Sequence, residues 1–259
     1  YPIYIESNVI SGRAGIFEKG RWSNVCYLNC NESNGFTPMP PEFPIDIVYL
    51  CSPDNPTGAA YSKGQLKKWV DYALENKAVI VYDGAYEAFI TEDDIPHSIY
   101  QIRGAKKVAI EIRSFSKTAG FTGLRCAYTV VPKELMAYTL LGEKVLLNKL
   151  WQRRQSTCFN GVPYIVQRGA EAIYSRQGKK QVSEIIAYYQ RNSLLIRKEL
   201  MQLGFEVYGG VNSPYVWFKT PKNTTSWKFF QQLLYETHIA GTPGVGFGSN
   251  GEGYFRFFG

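Results

Sequence analysis

The chain has 259 residues, 45% hydrophobic and 20% charged, a globular mix that excludes wholesale disorder. At this length one large core begins to divide into two, and no apolar run approaches the roughly 18 residues of a membrane span. The net charge of +7 is scattered over doublets such as Lys67-Lys68, Lys106-Lys107, Arg153-Arg154 and Lys179-Lys180. That pattern suits solvated faces and attraction of a small anion rather than a nucleic-acid stripe.

Tyr1-Pro-Ile-Tyr-Ile opens the chain without an initiator Met or a charged-then-apolar leader, and Tyr254-Phe-Arg-Phe-Phe-Gly259 reads as a strand cut while leaving a loop. Both features create the expectation that something is missing at each end. Ile45–Leu50 reads as a buried strand, followed by the turn-rich Ser52–Gly58. Ser62 then starts a helix, with Gln65 placed for a capping box and Leu66, Trp69, Val70, Ala73 and Leu74 forming one apolar stripe. Ala78–Tyr82, Lys107–Ile112 and Cys126–Val131 are further strands. Apolar strands separated by helices predict an α/β fold, a mostly parallel sheet with helices on both faces.

From Pro132 the character changes. Lys133 to about Ser156 reads as helix, and Pro163–Leu203 as a long helical region broken at Gly178 and stopped at Gly204. Short strands near Phe205–Tyr208, Tyr215–Lys219 and Tyr254–Phe257 enclose a helix near Ser226–Thr237, which predicts a smaller α+β C-terminal domain. The expected division is a large domain over 1–163 and a small one over 164–259.

Metal chemistry finds no support, because His97 and His238 lie far apart and the five cysteines form no CxxC pair. Cys26, Cys30, Cys51, Cys126 and Cys158 read as reduced, mostly buried thiols of a cytosol-like compartment, with a Cys26–Cys30 disulfide left open. Gly246-x-Gly248-x-x-Gly251 spells a dinucleotide fingerprint, but Pro243 precedes it and a strand follows, so it reads as a loop. Ser114-x-x-Lys117 matches an acyl-enzyme signature whose SDN and KTG companions do not occur.

Three motifs follow successive strands. Asn55-Pro-Thr-Gly58 is a good turn, or a rigid mount aiming the Asn55 amide at a ligand beyond the strand's carboxyl end. Tyr82-Asp83-Gly-Ala-Tyr86 places an acid where burial demands a partner. Asp83 is then either a helix N-cap with Tyr86 as packing, or the counter-ion of a cationic ring nitrogen beside a phenol. Ser114-Phe-Ser-Lys117-Thr-Ala-Gly-Phe-Thr-Gly-Leu-Arg125 gathers hydroxyls, an amine and a guanidinium around a glycine-containing loop. Hydroxyls with arginine suit a phosphate, and a lysine facing a carbonyl can form a Schiff base. Together these groups describe one ligand, pyridoxal 5′-phosphate.

These motifs resemble the fold-type I pyridoxal-phosphate aminotransferases. The Ser114–Arg125 run, the opening Tyr1-Pro-Ile-Tyr-Ile, Gly12-Arg-Ala-Gly15 and Cys158-Phe-Asn-Gly-Val-Pro163 resemble the LL-diaminopimelate aminotransferase family. The resemblance covers the whole chain but only part of a family member. It implies that an N-terminal arm, a first strand–helix with part of the phosphate cradle, and a final helix are absent. It also implies roles: Lys117 as Schiff-base lysine and proton carrier, Asp83 at the pyridine nitrogen, Asn55 and Tyr86 at the ring oxygen. Ser114, Ser116 and Arg125 would bind phosphate, and Arg256 would clamp the substrate α-carboxylate, unless it is a surface arginine on an edge strand. Asn55 and Tyr1 would also contact substrate, Tyr1 with the cofactor ring. Asn160 would reach a neighbouring subunit's site in a homodimer. The implied reaction is amino transfer between LL-2,6-diaminopimelate and 2-oxoglutarate, giving tetrahydrodipicolinate and glutamate in lysine biosynthesis. An aspartate or aromatic aminotransferase, or a non-catalytic regulatory protein of the same fold, are the alternatives. The expected setting is cytoplasmic, or a plastid in a plant or alga, with no nucleic-acid or membrane partner.

Overall fold

The computed structural model describes residues 1–139 and 141–259. Four strands form the first sheet in the order β1 (Ile47–Cys51), β2 (Val79–Asp83), β3 (Ala109–Ser114) and β4 (Ala127–Val130). β1–β2 and β2–β3 pair in parallel, and β3–β4 is antiparallel with Ser114 opposite Ala127. The carboxyl ends of β1, β2 and β3 therefore lie along one edge, which carries all three motifs.

Helix α1 (Ile3–Ile10) follows Pro2 and lies outside the elements read from sequence. Its Tyr4 stacks on Tyr49 at 5.1 Å, and Asn8 Nδ2 donates to the Tyr49 hydroxyl at 3.0 Å. Helix α2 (Lys63–Asn76) begins with the expected box, Ser62 N donating to Gln65 Oε1 at 2.9 Å and Gln65 N to Ser62 Oγ at 3.3 Å. It buries Leu66, Trp69, Val70 and Ala73 against Val48, Leu50, Ile80 and Tyr82. At the margin of that stripe, Leu74 is 41% exposed and Tyr72 is buried in its place.

The region after Pro132 departs from the expected single helix. Met136–Tyr138 and Lys144–Leu146 pair as a short antiparallel hairpin, and helix only begins with α4 (Leu147–Cys158); Leu140, within that expected span, lies outside the described residues. Gly142, at φ +79°, supplies the left-handed turn residue that ends helical continuity. A one-turn α3 (Phe115–Thr118) precedes it, and α5 (Tyr164–Ala172) and α6 (Arg176–Gln202) follow. Their break falls at 173–175, because Ser175 Oγ caps α6 by accepting from Gly178 N at 3.0 Å. Gly178 lies inside α6 and serves the crossing: a Cβ there would sit 2.2 Å from the Ala172 carbonyl oxygen.

The second sheet is wholly antiparallel. Its order is β7 (Thr242–Pro243), β8 (Tyr254–Phe258), β6 (Tyr215–Lys219), β5 (Val207–Gly209). Helix α7 (Ser226–Thr237) packs Phe229 edge-on against Phe218 and Phe255. The 246–251 glycines sit in two short 3₁₀ turns, not a strand-to-helix crossover. All five cysteines are free; Cys51 and Cys126 are buried, whereas Cys26, Cys30 and Cys158 are exposed, which corrects the expectation of mostly buried thiols. Among the described residues no helix is long and apolar enough to cross a membrane.

Candidate active site

Asn55 leaves β1 on a turn built by its own acid. Asp54 Oδ2 accepts from Thr57 N at 3.2 Å and Thr57 Oγ1 at 2.6 Å, while burial pushes the Asp54 carboxyl up. Gly58 has φ +71°, and a Cβ there would meet Gly209 Cα at 2.8 Å. The turn is thus more than local punctuation. Its glycine lets the first sheet's loop touch the β5–β6 corner of the second, and Asn55 is buried at that junction.

Asp83 ends β2. Its Oδ1 accepts from Ala85 N at 3.0 Å, and Oδ2 accepts from the Tyr4 hydroxyl at 2.7 Å. Burial first, then the charge of neighbouring acids, pushes the Tyr4 phenol up, so it stays protonated and donates. Tyr4 is the residue that sequence reading missed here. Tyr1 sits 52% exposed with its ring edge-on to Tyr4 at 5.8 Å. A tyrosine in the first turn of an unannounced helix carries no local signal; only the fold brings it to a carboxylate 79 residues away. The helix that Asp83 could have capped is one 3₁₀ turn, Glu87–Phe89, with Tyr86 at its cap position. Tyr86 is buried, its hydroxyl hydrogen-bonded to that of Tyr215.

A second unforeseen residue braces this loop from β3. Arg113 pairs with buried Glu111 at 2.7 Å and with Glu87 at 2.9 Å, and its guanidinium lies under Gly84, where a Cβ would come within 3.1 Å of Nε. Glu111 also accepts from Ser98 Oγ at 2.6 Å and Ile99 N at 3.0 Å, so its buried charge is fully met.

Ser114 ends β3 and caps α3, its Oγ accepting from Ser116 N at 3.2 Å. Lys117 Nζ lies 5.9 Å from the Tyr86 ring centre and 5.8 Å from that of Phe258. Burial, and secondarily the Arg256 charge, lowers its proton affinity. The amine opens onto a cleft of about 900 Å³ lined by Ser116, Lys117, Thr122, Glu184, Tyr188 and Phe258. Arg125, exposed and at φ +55°, donates Nη1 to the Thr122 carbonyl at 2.8 Å. Ser114, Ser116 and Arg125 thus share one loop. Asn160 stands apart on an exposed left-handed turn after α4 (φ +63°), with no side-chain hydrogen bond to this group among the described residues.

Arg256 closes the site from β8. Nη1 donates to Asn55 Oδ1 at 2.5 Å and Nη2 to Thr242 Oγ1 at 3.1 Å. The guanidinium lies 4.5 Å from the Tyr215 ring centre and 4.9 Å from that of Phe247. Its Nε is buried without a partner, and burial lowers its proton affinity. A surface arginine on an edge strand has none of these contacts. Tyr215, Phe247 and Thr242 were absent from the sequence reading because nothing near Arg256 in the chain points to them.

The decisive comparison is with a family model: aminotransferase class I and II matches residues 33–258. The chain belongs to this family. LL-diaminopimelate aminotransferases of Phocaeicola vulgatus and Bacteroides fragilis are 63% and 62% identical to it over 256 and 258 residues, each 99% of this chain. The one from Prochlorococcus marinus is 57% identical over 257 residues. The chain spans 63% of the length of each of these relatives. Among solved structures, L,L-diaminopimelate aminotransferase from Chlamydomonas reinhardtii superposes with a TM-score of 0.92 at 40% identity, covering 100% of this chain and 63% of that one. The substrate-bound BacF structure from Bacillus subtilis gives 0.82 at 25%, covering 100% and 62%. The aminotransferase fold of the family thus accommodates the whole chain, and the motif edge lies within the family match.

Proposed function

We propose that this chain carries the centre of a pyridoxal 5′-phosphate-dependent aminotransferase acting on LL-2,6-diaminopimelate and 2-oxoglutarate. The observation that carries the class is the convergence of Lys117, Asp83, Tyr86 and Asn55 at one edge of the first sheet, with Arg256 reaching Asn55 from the second. The donor set suits the cofactor. Lys117 is an amine whose charge is disfavoured, Asp83 is a carboxylate held at a strand end, and Arg256 keeps a buried N–H without an acceptor. When bound, the cofactor supplies the electron sink for the carbanion left at the substrate Cα.

The chain's residues do the rest. Lys117 Nζ, neutral at lower pH than an ordinary lysine, is the nucleophile toward a carbonyl and the base that moves the Cα proton. Asp83, held at both oxygens, keeps a proton on the ring nitrogen by its charge. Asn55 has its Oδ1 taken by Arg256, which leaves Nδ2 to donate to the ring oxygen beside the Tyr86 phenol. Ser114, Ser116 and Arg125 hold phosphate, and Arg256 offers Nε and Nη to an α-carboxylate. Tyr1 borders this site, Asn160 serves that of a neighbouring subunit in a homodimer, and residues 1–163 and 164–259 form the large and small domains. A cytoplasmic setting accompanies this reading.

The names of the relatives at 57–63% identity support the substrate choice. A panel of amino donors with 2-oxoglutarate tests it. LL-2,6-diaminopimelate should exceed aspartate and phenylalanine in kcat/KM, and the reverse order would reassign the substrate while leaving the class.

A further inference from the structure

Tyr215 belongs to the second sheet, is 3% exposed, and no motif singled it out. Its ring lies edge-on to Tyr86 at 5.0 Å and carries the Arg256 guanidinium at 4.5 Å, while its hydroxyl is bonded to that of Tyr86. One hydrogen bond between two phenols has one donor. The charged groups around the pair decide which. Arg256 lies over the Tyr215 ring and draws electron density from it. Cys51 bears on both phenols, Asp83 on Tyr86, and Lys117 Nζ is farther from the Tyr86 ring, at 5.9 Å, with its charge weakened by burial. Tyr1 faces the Tyr215 side. Burial pushes both phenols up, and on Tyr215 the hydrogen bond with Tyr86 first, then the Arg256 charge, pulls part of the way back.

We propose that Tyr215 is a positioning residue: its hydroxyl donates to Tyr86 Oη, which leaves the Tyr86 hydrogen free to be given to the cofactor's ring oxygen, while its ring holds Arg256 for the substrate carboxylate. One side chain from the second sheet thereby ties the carboxylate clamp to the first sheet's phenol. This rests on the cofactor reading above.

The test is a double-mutant cycle on the protein loaded with pyridoxal 5′-phosphate, read as the pH midpoint at which its visible band changes. Tyr86→Phe should raise that midpoint, because an unsupported ring oxygen holds a proton more tightly. Tyr215→Phe removes one oxygen and should raise it by about 0.4–1 unit. The double variant should shift no further than Tyr86→Phe. A second measurement follows the ring: Tyr215→Leu should weaken succinate binding by roughly 3–30-fold, whereas Tyr215→Phe should leave it unchanged. An unmoved midpoint in Tyr215→Phe alongside a shifted Tyr86→Phe, or additive shifts in the double variant, would overturn the proposal and spare the cofactor reading. Equal loss of succinate affinity in the Leu and Phe variants would overturn the ring's separate role. Absence of any visible band in the unsubstituted protein would overturn both readings together.

Discussion

The lysine loop and the arginine clamp are built in opposite ways. Lys117 sits in a contiguous run, 114–125, whose hydroxyls, glycines and Arg125 are all local, and several of which are partly or fully exposed. Arg256 is held by Asn55, Tyr215 and the 242–247 segment with Thr242 and Phe247, three separate parts of the chain that enclose it. The first is a motif that waits for a ligand; the second is a product of tertiary assembly. Chemistry with a local scaffold can be read as a string, whereas recognition built across two sheets cannot. The two regions also communicate, since the Arg256 charge contributes to the lowered proton affinity of Lys117.

The largest expected effect lies in the loop. Lys117→Ala should cost more than about 10³-fold in turnover, removing both nucleophile and base, and should abolish the visible absorbance that the loaded protein acquires from this lysine. Asp83→Ala leaves a cationic ring nitrogen without its counter-charge. Losing one member of a buried pair costs about 3–5 kcal/mol, or roughly 200–5,000-fold in kcat, with the cofactor still retained on dialysis.

The clamp should respond differently. Arg256→Gln should raise KM for 2-oxoglutarate by roughly 30–1,000-fold, the scale for truncating one partner of a buried charge pair, with a smaller change in kcat. It should also move Lys117. Removing the neighbouring cation makes protonated lysine less costly, so the pH at which free protein condenses with pyridoxal phosphate should rise toward the ordinary lysine value of about 10.4. Linkage gives the sign for stability. Between its lowered folded value and about 10.4 the unfolded chain binds more protons at Lys117, so this residue makes stability rise with pH across that window, and Arg256→Gln should narrow the window. Condensation rates and denaturant midpoints across pH check both statements.

The smallest predicted effect concerns the seam between the regions. Gly58→Ala adds a Cβ at positive φ against Gly209 and Ser213, and should lower stability by about 1–3 kcal/mol, read as a reduced urea midpoint with an unchanged slope.

How far sequence reached follows the same divide. The strands of the first sheet, the Ser62–Gln65 cap and α7 were legible because period, cap and turn residues all lie within a few positions. The 133–156 span reads as helix from propensity, yet pairs as a hairpin before α4, with Gly142 at its turn; strand pairing there overrode local preference. Gly178 looked like a break because a mid-helix glycine is costly, but its absent side chain is what lets α5 end against α6. Of the site, the motif residues were legible, whereas Tyr4, Tyr215, Phe247 and Arg113 were not. Each acts through a partner brought close by folding, and aromatic rings or an arginine on a strand are commonplace in any core.

We propose amino transfer on LL-2,6-diaminopimelate for these convergent residues. The most direct measurement is a pair of half-reactions followed by absorbance. Adding LL-2,6-diaminopimelate to the protein loaded with pyridoxal 5′-phosphate should bleach the visible band, and subsequent 2-oxoglutarate should restore it with glutamate released. A band that stays unchanged on adding the amino donor, while Lys117 remains bound to the cofactor, would contradict the account.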